Sequence, residues 1–498
     1  MKIVCLNPPF KSEHGRFSRE QRSPAITKGG TFYYPMWLCY AAGVLEADGH
    51  EVKIIDAPAS QMTMEAVEKL LAAFSPRLLV VDTSTPSIAS DCQAAERLKA
   101  LTGAFTVLVG THPTALSEAT LASAPAVDAI ARKEYEYTLR ELARRLDSPD
   151  ADLGLVAGLS WRDGQRIAHN PDRPPIENLD ELPFLSKVYR DHLNIRDYFY
   201  TIAQYPQVAI YSGRGCPHQC CYCVYPQVMH GHKFRKRSVQ NVIDEFRFIQ
   251  QQMPEVREVF IEDDTFTVDK QRVLAFGEAY RAAGLKVSWI GNSRADVDLQ
   301  TLKAIKACNC RLLCVGFESG DQTVLDNMRK RLSVERARQF VRDARSAGIL
   351  IHGCFIVGNP GETKQTLATT LAYARSLELD TAQFFPLMVY PGTAAYAWAR
   401  DSGFLLTEDY SQWNTPDGLH NCVVSRPGLT NEELVRFCDE ARRKFYLRPG
   451  YILYRLRRLA THPREDGPRM LKSLKQFKKF LLGGGKPAPC ACRQRADD

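Results

Sequence analysis

No apolar run in this 498-residue chain reaches the roughly 18 residues that a membrane-spanning helix needs. No G-x-G-x-x-G follows the first apolar strand, which argues against a nicotinamide-binding start. The cysteines lack an even count, there being 15. Only six residues stand before Asn7-Pro8-Pro9, too few for the apolar core of a signal peptide. The expectation is a reducing, cytoplasmic setting, where thiols serve metals or catalysis more often than staples. Acidic residues are scarce at one end: from Glu440 onward there are 16 Lys+Arg against 5 Asp+Glu, although the whole chain carries only +8. Such a local excess describes a surface, not a fold.

What is present is a run of cysteines, Arg214-Gly215-Cys216-Pro217-His218-Gln219-Cys220-Cys221-Tyr222-Cys223. The spacing C-x3-C-x2-C brings Cys216, Cys220 and Cys223 to one face of a tight loop. A [4Fe–4S] cluster takes four thiolates when it can, so three leave one iron open to something that is not protein. Zinc is the rival. Structural zinc sites usually add a second C-x2-C or H-x3-H pair, and His218, His230 and His232 do not provide one. Cys221 falls outside the ligand spacing.

The length calls for two to three domains. The first ~145 residues alternate short strands and helices. The strands are Lys2–Leu6, Glu51–Ile55, Leu78–Asp82, Phe105–Val109 and Asp128–Ala131; helices fall at Pro35–Ala47, Thr63–Ala73, Ala89–Leu101 and Glu136–Leu146. This predicts an α/β, doubly wound, Rossmann-like domain over 1–148, with ligands at the carboxyl ends of its strands. Those ends carry Asn7, Thr83-Ser84-Thr85, Gly110, His112 and Glu134. His112 reads as a metal ligand or as a satisfied loop histidine. Residues 149–204 form a linker with a hairpin at Asp163-Gly164.

A second array follows over 205–395. Strands are predicted at Val208–Ser212, Glu258–Glu262, Lys286–Gly291, Arg311–Gly316, Ile349–Val357 and Thr381–Met388, with helices between them. Six β/α units in series suit a partial (β/α)6 TIM-type barrel, whose chemistry sits at the strands' carboxyl ends. The cysteine loop follows the first of them. Residues 396–498 read as a mostly helical, basic C-terminal region with a disordered tail. In Met470–Leu482 one face is apolar and the other lysine-rich, which suits either packing on the barrel or lying on an anionic membrane.

The remaining barrel strand ends are also polar. Glu262-Asp263-Asp264 suit a cationic or hydroxylated ligand, or a helix cap by Asp264 or Asp269. Arg294 suits a carboxylate. Glu318 suits an amine or ribose, and the glycines of Val357-Gly358-Asn359-Pro360-Gly361 suit a flat ring against the backbone. Together these describe a site for an amino acid joined to a nucleoside.

The cysteine spacing, with Tyr222 before the last cysteine, resembles the radical S-adenosylmethionine (SAM) superfamily. The order of the two arrays resembles its cobalamin (B12)-binding branch. So do Asp263-Asp264-Thr265-Phe266, Gly316-Phe317-Glu318-Ser319-Gly320, Gly358-Asn359-Pro360-Gly361-Glu362-Thr363 and Gly110-Thr111-His112-Pro113-Thr114. The resemblance covers about residues 1–400. It implies that the open iron holds SAM, which is cleaved by one electron to a 5′-deoxyadenosyl radical that takes hydrogen from an unactivated carbon. It further implies that Tyr222 and Val357, Gly358 and Gly361 frame the adenine, Glu318 and Ser319 hold ribose or amine, and Arg294 meets the carboxylate. Cobalamin is implied at Asn7, Thr83, Ser84, Thr85, Gly110, His112 and Glu134. The cobalt-ligating D-x-H-x-x-G sequence is absent, so cobalt free of protein imidazole is expected.

Tyr34-Pro35-Met36-Trp37-Leu38, Thr83-Ser84-Thr85-Pro86-Ser87 and Gly231-His232-Lys233-Phe234-Arg235 are similar to hopanoid-biosynthesis-associated radical SAM proteins. That similarity implies a lipid-linked substrate and a ring contraction, with an electron donor such as flavodoxin or ferredoxin and no nucleic acid. Peripheral contact with the inner face of the membrane would fall to the basic C-terminal helix. Three other readings compete: methylcobalamin-dependent C-methylation, radical chemistry without cobalamin, and a non-catalytic, metal-structured, membrane-associated scaffold.

Overall fold

A computed structural model describes residues 1–148 and 152–461. The basic segment Met470–Leu482 lies outside the described residues. Two sheets organise the rest. The first has seven strands: β1 (Lys2–Asn7), β2 (Glu51–Asp56), β3 (Leu78–Asp82), β4 (Phe105–Val109), β5 (Ala129–Ala131), β6 (Leu159–Asp163) and β7 (Arg166–His169). Their order is β2-β1-β3-β4-β5-β6-β7. The first five run parallel, and β6 and β7 add antiparallel. β1, β3 and β4 are nearly continuous apolar runs because helices cover both sheet faces. The hairpin expected in the linker thus extends the first sheet. Its turn chemistry was readable; its pairing with β5 was not.

The strand order reverses between β1 and β3, so the switch-point crevice opens at Asn7 and at Thr83–Thr85. The helix Met36–Ala47 packs beside it. Its first residue follows Pro35, which has no side-chain cap to offer. Glu20 supplies the cap instead, its carboxylate accepting from the Trp37 and Leu38 amides at 2.6 and 2.9 Å.

The second sheet is β8 (Gln207–Ile210), β9 (Glu258–Ile261), β10 (Ser288–Ser293), β11 (Cys310–Glu318), β12 (Leu350–Val357) and β13 (Thr381–Pro386), parallel and in sequence order. The helices between them begin at side-chain caps from Ser238, Asp269, Asp298, Ser333 and Thr363. The choice left open between Asp264 and Asp269 is thereby settled for Asp269. β11 runs two residues beyond its predicted end because its register with β12 shifts between Gly316 and Glu318. Glu318 sits at φ +63°, a left-handed conformation that an acidic residue seldom adopts.

The carboxyl ends of the two sheets face each other. The helical turn Tyr225–His230, just past the cysteines, packs on the turn Thr111–Ala115 of the first sheet. At Gly392 an added Cβ would stand 2.8 Å from Val228 and 3.1 Å from Ala115, so this seam is close-packed. The segment after the helix Ala394–Asp401 is largely irregular up to the helix Asn431–Tyr446, a departure from the mostly helical reading. It lies over the seam, where Tyr410 meets His112 edge-on with ring centroids 4.7 Å apart. The segment Lys11–Gly30 meets it there. Lys11 donates to the Thr415 carbonyl at 2.7 Å, and Ser23 lies 2.8 Å from His420.

Candidate functional site

The cysteine loop is held at its root. Asp263, at the end of β9, accepts from the Ser212 amide and hydroxyl, both at 2.6 Å, and from the Gly213 amide at 3.1 Å. Gly213-Arg214 pairs with Arg235-Lys236 as a short antiparallel ribbon. Gly215 is at φ +85°, and a side chain there would overlap the Lys233 carbonyl, so glycine is required. Inside the loop, the Gln227 amide donates to the carbonyls of Cys220, Cys221 and Cys223 at 2.8–3.2 Å. Cys221 points into the core, its amide bonded to the Met328 carbonyl.

Cys216, Cys220 and Cys223 are free thiols, Cys220 buried and the other two half-buried. Three thiolates on one loop, without a second cysteine or histidine pair at zinc spacing, fit an iron–sulfur cluster better than a structural zinc site. Burial pushes the Cys216 thiol up to about 11 and Cys223 well above its ordinary value, with Asp264 adding to both. Arg22, from the N-terminal segment, faces Asp264 at 3.6 Å and donates to Glu262 at 2.6 Å. Both Asp264 carboxylate oxygens are buried without a hydrogen bond, which leaves polar capacity for a ligand.

Beyond the cysteines, Tyr222 and Glu318 meet. The Tyr222 hydroxyl donates to Glu318 at 2.9 Å, and the Lys330 ammonium donates to the same oxygen at 2.7 Å. The other Glu318 oxygen is buried without a partner. Gly316 makes the room: a Cβ there would overlap the Glu318 carboxylate. No sequence motif singles out Lys330. It sits between Arg329 (φ +56°) and Arg331 (φ +49°), a strained loop that no sequence pattern announces. Arg294 holds that loop, donating to the carbonyls of Lys330 and Arg331 at 3.0 and 2.9 Å while pairing with Asp296.

Other predicted residues meet protein. Ser319 is fully buried, 3.0 Å from the Thr370 hydroxyl, and accepts from the Asp321 amide. Gly358 (φ +95°) packs against Leu434, and Gly361 (φ +81°) against Asn327. Val357 is buried at the end of β12. Glu362 ties this turn, accepting from the Gly358 and Asn359 amides at 2.5 and 3.0 Å; burial pushes its carboxyl up to about 7.

At the switch point of the first sheet, Asn7 donates to Asp56 at 2.9 Å. Arg19 donates to Asn7 at 2.6 Å and to both Asp91 oxygens at 2.6 and 3.1 Å. Thr83 Oγ1 and one oxygen of Asp82 are buried without partners, so polar capacity is left over for a ligand. Burial pushes the Asp82 carboxyl up to about 8, against the Arg19 charge; Asp91 and Asp56 push it the same way as burial. Gly110, at φ +117°, lets β4's loop pass over the Thr83 carbonyl. His112 Nδ1 lies 3.2 Å from the Thr85 hydroxyl, and burial lowers its pKa to about 4, so the ring is neutral. Ser84 lies 2.9 Å from Ser87. Glu134 instead joins the two halves. It pairs with Arg235 through both oxygens, accepts from the Ile176 amide at 3.0 Å, and lies 3.2 Å from His230. Buried, it is nonetheless held well below the usual carboxylate range, chiefly by Arg235 and His230.

Residues 210–374 match the Radical SAM superfamily model and residues 22–143 match the B12 binding domain model. An uncharacterized methyltransferase of Pyrococcus horikoshii is 30% identical over 455 residues, covering 91% of this chain and 94% of that protein. The anaerobic magnesium-protoporphyrin IX monomethyl ester cyclase of Cereibacter sphaeroides is 27% identical, covering 97% and 76%. Among solved structures, the radical S-adenosylmethionine methyltransferase TsrM of Kitasatospora setae superposes with a TM-score of 0.63 at 18% identity, covering 81% of this chain and 76% of that one. That likeness concerns the fold.

Proposed function

Because this chain belongs to the radical SAM superfamily, in the branch with an N-terminal B12-binding domain, we propose that it rearranges an unactivated carbon skeleton in a hydroxylated, lipid-linked substrate. It is a cobalamin-dependent radical SAM enzyme whose cofactors are a [4Fe–4S] cluster, SAM and cobalamin. When bound, these supply one-electron reduction, an adenosyl group able to take hydrogen from carbon, and cobalt chemistry.

The chain's own residues position and shield. Asp263 fixes the root of the cysteine loop. Tyr222, Glu318 and Lys330 offer a phenol, a free carboxylate oxygen and an ammonium in one place, suited to the amine and ribose of SAM. The segments around Arg22 and Tyr410 cover the seam and exclude water.

One observation carries the substrate class. The middle of the barrel's inner face is polar: Asn292, Cys314, His352, Cys354 and Gln383 lie between an apolar layer with Ile290 and Leu312 and another with Ile356 and Phe385. Such a lining suits a polyol better than a bare hydrocarbon. The similarity to hopanoid-associated proteins supports a lipid carrier for it.

Methyl transfer to carbon is the second reading, favoured by the several methyltransferases among the relatives. Methyl-labelled SAM separates the two. Rearrangement predicts 5′-deoxyadenosine with no label in product. Label in product, with S-adenosylhomocysteine formed, would overturn rearrangement in favour of methylation.

A further inference from the structure

Two thiols and an imidazole converge inside the barrel, away from the cysteine loop. Cys314 lies on β11; His352 and Cys354 lie on β12. The register places Cys314 opposite His352, and the period-two alternation of a strand puts Cys354 on the same face as His352. Their outward neighbours Leu313, Val315, Ile351 and Phe355 are fully buried against helices, whereas Cys314 and Cys354 are only half-buried. The three side chains therefore face the lumen. One ligand atom from each lies within 4.8 Å of the others.

The spacing of the sulfurs is informative. Cys314 Sγ and Cys354 Sγ are 3.7 Å apart and unbonded. A disulfide needs about 2 Å. A tetrahedral zinc ion with Zn–S bonds of about 2.3 Å places two thiolates about 3.8 Å apart. The surroundings are those of a built site. Thr381 Oγ1 lies 2.7 Å from His352 Nδ1, an outer contact that fixes the ring. The Gln383 amide donates to Cys354 Sγ at 3.2 Å, a hydrogen bond of the kind that steadies a ligating sulfur.

We propose that Cys314, His352 and Cys354 bind a zinc ion in the barrel lumen, with its fourth position open. Two sulfurs and one imidazole select zinc over magnesium or calcium. Three protein ligands with an open position are the arrangement of a site that takes water or a substrate oxygen, and the lumen is where a hydroxylated substrate would enter. The site is separate from the cysteine loop: Cys314 precedes Glu318 by four residues, roughly 13 Å along a strand. It does not depend on which carbon the enzyme attacks.

The test is zinc content and zinc K-edge absorption of the anaerobic holoenzyme, loaded with one equivalent of Zn(II) and desalted. The expected result is about one zinc per chain, with two sulfur neighbours near about 2.3 Å and one nitrogen neighbour. Cys354→Ser and His352→Ala are expected to lose the zinc while keeping the iron and cobalamin of the wild type, which reports that they fold. Zinc removed by desalting from the wild type, a shell of oxygen and nitrogen only, or a Cys314–Cys354 disulfide in the anaerobic protein would each overturn the proposal. So would full zinc retention by Cys354→Ser. The wild-type measurements need no variant.

Discussion

The Glu318–Lys330 pair is buried, with side-chain exposures of 5% and 7%, and it takes part in the proposed SAM site. Removing one partner of such a pair leaves an uncompensated charge and costs about 3–5 kcal/mol. Lys330→Met alone is therefore expected to destabilise the protein by that order and to weaken SAM binding. The double variant Glu318→Gln/Lys330→Met is expected to recover most of the stability but not the SAM affinity. Thermal unfolding and SAM titration read the two effects separately. Cys221→Ala, by contrast, is expected to keep the wild-type iron and sulfide content, because its side chain packs in the core. The cysteine spacing alone located the loop. Lys330 was invisible because its approach to Glu318 depends on a register shift in β11 and on two left-handed residues, neither of which leaves a mark in residue type. The Cys314–His352–Cys354 group was equally hidden, since register between separate strands cannot be read from one sequence.

At the scale of elements, the loops of the first sheet carry two tests. Gly110 passes over the Thr83 carbonyl at positive φ, so Gly110→Ala both strains the backbone and meets an atom already there. A loss of about 1–3 kcal/mol is expected from the conformation alone, with loss of cobalamin retention on gel filtration. Asp82 tests the buried charges beside it. Its folded pKa, about 8, lies above the ordinary 3.8, so the folded state holds the proton more tightly. The stability this gives is present below about pH 4 and is lost as pH rises through 8. Asp82→Asn is expected to flatten the fall of the melting temperature between pH 6 and 8; an unchanged slope would contradict the assignment. Strands and helices here were legible because parallel strands read as apolar runs and most helices start at Ser, Thr or Asp caps. The hairpin's place in the first sheet was not, because antiparallel addition to β5 joins segments about 30 residues apart in sequence.

For the whole molecule, the decisive feature is that both sheets present their carboxyl ends to one seam. Glu134 bridges it. Glu134→Gln leaves the buried guanidinium of Arg235 without its ion-pair partner, and Arg214 without part of its own compensation. A cost of about 3–5 kcal/mol is expected, seen as earlier thermal unfolding and faster proteolysis within residues 149–204. The order of two α/β arrays was readable from the sequence. The covering segments were not: Lys11–Gly30 and the stretch around Tyr410 lack periodicity, and their roles arise only where they meet over the seam. Among the described residues no helix is long and apolar enough to cross a membrane.

The central claim is that the three-cysteine loop and the covered seam above it make a SAM-cleaving centre. The most direct measurement is 5′-deoxyadenosine released from SAM by the anaerobic, cluster-loaded protein on addition of dithionite. Release by the wild type, abolished in Cys220→Ala, is the predicted result. No release from protein with a full iron and sulfide complement, or undiminished release from Cys220→Ala, would contradict the account.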